Sequence, residues 1–114
     1  MKTVILRQYN ENLDTETEIL LGECYGVNDF CRILNNHFNK YYFDTDDTYN
    51  NNRICVDDIE VITYEEYKII SEYIYECYEI GNKLGLSSVF LAEQFLTNFG
   101  TNRLFQKMVL ERGF

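Results

Sequence analysis

The segment from Thr63 to Leu84, TYEEYKIISEYIYECYEIGNKL, constrains this chain more than any other. It is long, periodic and rich in tyrosine, so it must hide one face and display another. Thr63 followed by Glu66 spells a capping box. The threonine hydroxyl accepts from a first-turn amide, and the glutamate reaches back to the amide of the cap. At 100° per residue, Ile70, Ile74, Cys77 and Gly81 share one sector, flanked by Tyr67, Tyr73, Ile80 and Leu84. The opposite sector collects Glu65, Glu72, Glu76 and Glu79, with Lys68 and Lys83 among them. Tyr64, Tyr75 and Tyr78 lie on one border between the two. The pattern predicts an amphipathic helix over about 64–82, with Gly81 and Gly85 marking its stop.

The flanking segments supply a small sheet. Residues 2–8, KTVILRQ, are β-branched and apolar at the centre, which predicts a strand; 10–14 is a polar, Asn-rich turn, and 15–24 a second strand completing a hairpin. Residues 53–62, RICVDDIEVI, predict a further strand interrupted near Asp57 and Asp58, or two short strands. Asn28 is a suitable cap for a helix over about 29–39, in which Phe30, Cys31, Leu34 and Phe38 recur at helical spacing. Ser87 or Ser88 caps a helix over 89–98, and 102–112 favours a last helix ending at Gly113, with a strand as the alternative. The expectation is one α+β domain over residues 1–114. A small antiparallel sheet, made of the N-terminal hairpin and the strand around 53–62, packs with three to four helices.

Charge narrows the function. Of the 19 acidic residues, 17 fall within residues 1–79, against six of the ten lysines and arginines. A field this negative repels nucleic acid and anionic lipid and speeds encounter with a basic surface. Direct nucleic-acid binding is therefore disfavoured. No apolar run approaches the ~20 residues that span a bilayer, and Met1-Lys2 leads straight into the first predicted strand, so the bacterial cytoplasm is the expected location.

The residues that carry familiar chemistries do not assemble here. Cys24, Cys31, Cys55 and Cys77 are far apart and His37 is the single histidine, unlike the paired ligand spacing of zinc sites. Reduced, packed thiols are the simpler reading. The loop YYFDTDDTYNNN, residues 41–52, holds Asp44, Asp46 and Asp47, but the glycine and terminal glutamate of an EF-hand are missing in either frame. There is no phosphate-binding glycine loop, nucleophile elbow or HExxH. The chain is expected to be non-catalytic, with no metal or cofactor.

What remains is an acidic binding face. Glu65, Glu72, Glu76 and Glu79 span about 21 Å of helix at ~1.5 Å per residue. Asp44, Asp46, Asp47, Asp57 and Asp58 extend the patch, and Tyr75 adds an aromatic anchor. In its acidic, cysteine-containing, Asn-, Ile-, Tyr- and Lys-rich character, the chain resembles small phage and mobile-element proteins of low-GC bacteria. The stretches DTDDTYNNN and EEYKIISEYIYECYE carry the likeness. Among such proteins it resembles anti-CRISPR proteins of the DNA-mimic type. That resemblance implies a non-catalytic inhibitor whose partner is a basic nucleic-acid-binding protein, namely a CRISPR effector nuclease. An immunity protein against a nuclease toxin is the nearest alternative. A homo-oligomeric phage assembly protein, a homodimer included, with a face built from Tyr67, Tyr73 and Tyr78, is the alternative from another class.

Overall fold

A computed structural model of the protein describes residues 1–41, 51–85 and 103–114. It is α+β: a four-stranded antiparallel sheet with three helices among the described residues. The strands are β1 (Lys2–Asn10), β2 (Thr15–Cys24), β3 (Asn51–Val56) and β4 (Ile59–Ile62), in the spatial order β2-β1-β3-β4. The helices are α1 (Val27–Tyr41), α2 (Tyr64–Leu84) and α3 (Arg103–Glu111).

Strand alternation decides which side the helices cover. On β1, Val4, Leu6 and Gln8 are buried, while Ile5, Arg7 and Tyr9 between them face the other way. Antiparallel register carries the same division across the sheet. Leu6 pairs with Ile19 and Ile54 on the inner side, and Arg7 pairs with Glu18 and Arg53 on the outer side. The inner row meets Phe30, Cys31, Leu34 and Phe38 of α1, Tyr67 and Ile74 of α2 and Val109 of α3 in one continuous core. A Cβ at Gly22 would come within 3.1 Å of Ile33 Cδ1, so glycine lets β2 lie close under α1. The core also holds a polar pair: His37 Nε2 lies 2.8 Å from Tyr67 Oη, and both residues are buried.

The hairpin is found where the pattern placed it, with β1 running two residues further, to Asn10. Residues 53–62 resolve into two strands. Their turn is at Asp57, whose φ of 53° is left-handed and whose carboxylate accepts from the amide of Thr3 at 3.0 Å. The capping box is present in both directions: Glu66 N donates to Thr63 Oγ1 at 3.3 Å, and Thr63 N donates to Glu66 Oε1 at 2.9 Å. Residues 103–111 are helical, followed by Gly113 at φ 96°.

Several expectations are corrected. Asn28 is not the cap of α1, which starts at Val27. The carbonyl of Gly26 takes the Phe30 amide, and Asp29 reaches back to the amide of Tyr25 at 3.1 Å. Gly81 does not end α2. It is buried inside the helix, and the left-handed cap is Gly85 at φ 69°. Of the segment 41–52 expected to be irregular, Tyr41 closes α1 and Asn51–Asn52 open β3 opposite Tyr9 and Gln8, and residues 42–50 lie outside the described residues. Tyr73, Ile80 and Leu84, placed beside the hidden sector, are 46%, 51% and 65% exposed. The core covers a narrower arc of α2 than the apolar residues occupy. The helix expected over 89–98 lies outside the described residues.

Candidate functional site

The outer side of α2 is built on a repeat of seven. Glu65, Glu72 and Glu79 recur at that interval, and Ile69, Tyr73, Glu76 and Ile80 run alongside at alternating steps of four and three. On a helix these spacings stack each set into a nearly axial row. Glu65, Glu72 and Glu76 are exposed and Glu79 is half-buried. Lys68 approaches Glu72 only to 4.0 Å, and among the described residues no basic group lies within 4 Å of Glu65, Glu76 or Glu79. Beside this carboxylate row stands an apolar one of Ile69 (65% exposed), Ile80 and Leu84, with Tyr73 between them. Tyr75, 49% exposed, borders the row on its opposite flank.

Most acids of the sheet are arranged differently, Glu23 being the exception. On its outer face Arg7 meets Glu18 at 3.1 Å and Asp58 at 3.5 Å, and Arg53 meets Glu16 at 2.7 Å and Glu60 at 3.8 Å. The two arginines sit directly opposite each other in the register, a repulsive placement that the surrounding carboxylates offset. Cys55, next to them on the same face, is 1% exposed. Burial raises its thiol pKa, against the pull of Arg7 and Arg53. Glu66, the inward-turned acid of the first turn of α2, is held by Arg112 through contacts of 2.5 and 2.8 Å. That pairing, helped by the Thr63 bonds and opposed by desolvation, lowers the Glu66 pKa to about 2.

No match is found among protein-family models, curated proteins or solved structures. The geometry of the chain itself must carry the reading.

The residues expected to form the site therefore divide into three groups. Glu65, Glu72, Glu76, Glu79 and Tyr75 come together on one side of α2. Asp57 and Asp58 lie on the β3–β4 turn, where Asp57 bonds the Thr3 amide and Asp58, fully exposed, sits near Arg7. Asp44, Asp46 and Asp47 lie outside the described residues. Ile69 also belongs to this exposed surface, outside the residues that the helical sectors of the sequence single out. The step of four from Ile69 to Tyr73, continued to Ile80 and Leu84, was the available signal.

Among the described residues no three His, Cys, Asp or Glu side chains are grouped to hold a metal ion, and no helix is long and apolar enough to cross a membrane. An open groove of about 380 Å³ between β2 and α1 includes His37 in its lining, with none of Cys24, Cys31 or Cys55 beside it. Burial pushes the Cys31 thiol up to about 11, where it is a poor nucleophile at neutral pH.

Proposed function

We propose that the chain is a non-catalytic inhibitor that lays the acidic side of α2 into the basic, nucleic-acid-binding surface of a protein. The single observation that supports this is the contrast between the two sets of acids. Glu16, Glu18, Asp58, Glu60 and Glu66 have arginine partners within the chain, whereas Glu65, Glu76 and Glu79 have none among the described residues. Three carboxylates left unneutralised in a row about 21 Å long supply about half the charge of one nucleic-acid strand over the same length. The flanking Tyr75, Ile69 and Ile80 add the apolar and aromatic area that interface cores use.

The resemblance to anti-CRISPR proteins makes a CRISPR effector nuclease of the bacterial cytoplasm the first partner to test. The purified protein is titrated into a DNA-cleavage assay of such an effector at about 0.1 and 0.5 M salt. Inhibition that weakens with salt and disappears when Glu72, Glu76 and Glu79 are all changed to Lys supports the proposal. Undiminished inhibition by that folded triple variant excludes α2 as the site. A pull-down at the two salt concentrations, read by mass spectrometry, extends the search to nuclease toxins if no effector is inhibited.

A further inference from the structure

The apolar row of α2 has a consequence beyond charge. Ile69, Tyr73, Glu76, Ile80 and Lys83 follow the 4-3-4-3 spacing of a coiled-coil seam, and Glu65, Glu72 and Glu79 occupy the position flanking that seam. Residues on the seam's other flank, Ile70 and Leu84, lead toward the core, and Ile70 is packed against it. A helix whose seam is already half exposed, with Ile69 65% and Ile80 51% accessible, is shaped to receive another helix rather than a flat surface.

We infer that α2 docks an amphipathic basic helix of its partner, with apolar residues against Ile69, Ile80 and Leu84 and lysines or arginines against Glu65, Glu72 and Glu79. The inference rests on the acidic-face reading and specifies what the partner presents to that face. Charge selects this occupant over a second copy of the chain. Two copies of α2 laid antiparallel set the glutamate row against itself. Laid parallel, they require Ile70, which the core already uses. Glu76 sits within the seam rather than beside it, so the docked helix must place a cation or a polar group opposite. Lys83, the last seam position, calls likewise for an acid or a polar group opposite, and charged seam positions of this kind fix register.

The test uses the full chain and synthetic helical peptides of about three heptads. One peptide carries leucine at its seam and lysine on its flanks, with a lysine opposite Glu76. A second has the same composition in scrambled order, and a third has glutamate in place of lysine. Affinity is read by fluorescence anisotropy for the unaltered protein and for the Ile69→Ser/Ile80→Ser variant, whose fold is checked by circular dichroism. The segregated peptide is expected to bind at least about tenfold tighter than the scrambled one. The serine variant is expected to lose that advantage while binding the scrambled peptide as before, and the glutamate peptide is not expected to bind. If segregated and scrambled peptides bind equally, or if the serine variant keeps the preference, helix docking at this seam is wrong and the acidic-face reading survives. If neither basic peptide binds, both fall together.

Discussion

Arg112 holds Glu66 by both carboxylate oxygens, Nη1 to Oε1 at 2.5 Å and Nη2 to Oε2 at 2.8 Å, and also donates to the carbonyl of Val61 at 2.7 Å. Glu66 is at the same time half of the capping box of α2. One guanidinium therefore joins the end of α3 to the last strand of the sheet and to the first turn of the helix that carries the acidic row. Bidentate, partly buried pairs of this kind hold geometry better than exposed ones.

Replacing Arg112 with Met leaves the Glu66 carboxylate partly buried and without its cation. We expect destabilisation of about 2 kcal/mol, the cost of breaking one side of a part-buried charged pair. Urea denaturation followed by circular dichroism measures it. A change below about 0.5 kcal/mol, the level of an ordinary surface substitution, would show that the clamp does not stabilise the fold.

The same pair sets an acid limit. The Glu66 pKa in the folded chain, about 2, lies below the ordinary value of 4.5, so the folded state binds the proton more weakly than the unfolded one. Its contribution to stability is complete above pH 4.5 and is lost as pH falls from there through 2. Unfolding free energies across this window should decline less steeply for Glu66→Gln than for the unaltered protein. Parallel declines would place the acid sensitivity elsewhere.

Thr63→Ala removes the hydroxyl that accepts from Glu66 N but leaves the Arg112 pair in place. The expected loss is about 1 kcal/mol, as for other threonine caps. Combined with Arg112→Met, the two losses should not add, because both changes act on Glu66. A double-mutant cycle by denaturant titration checks the coupling.

The two sides of α2 should respond oppositely to the same chemical change. Ile74→Ala, at a 2% exposed position, is expected to cost about 2–5 kcal/mol through cavity formation. Ile80→Ala, half exposed, should cost under about 1 kcal/mol and instead weaken partner binding. Thermal denaturation and binding assays on the same pair of variants separate the roles; equal destabilisation by the two would mean that Ile80 is part of the core.

The buried thiols give a reactivity prediction. Cys24, Cys31 and Cys55 are buried, and burial raises the pKa of each. At pH 8 they should label with a thiol reagent only as fast as the protein unfolds. Labelling of any of the three at the rate of a free thiol would contradict their placement in the folded chain.

Local patterns were readable in the sequence, and long-range ones were not. The capping box of α2 needs only Thr63 and Glu66, three residues apart, so its two hydrogen bonds were foreseeable. The start of α1 escaped because Asn28 is a good cap by type, yet the helix begins one residue earlier, with the Gly26 carbonyl taking the Phe30 amide and Asp29 bonding back to Tyr25. The neutralisation of Glu16 by Arg53 depends on β3 pairing along the far side of β1, a contact across 37 positions with no local signal. The exposure of Ile80 and Leu84 was hidden for a related reason. Periodicity shows that a helix has an apolar side, but the width of the surface covering it belongs to the rest of the fold.

The outer face of the sheet has a consequence for how the molecule meets others. Arg7 and Arg53, interleaved with Glu16, Glu18, Asp58 and Glu60, make that face a mosaic in which two positive charges offset part of four negative ones. On α2, Glu65, Glu76 and Glu79 have no basic group within 4 Å among the described residues. On the proposed reading, these partnerless carboxylates are what a cationic surface attracts most directly, so α2 would lead the approach and its orientation would be selected before contact.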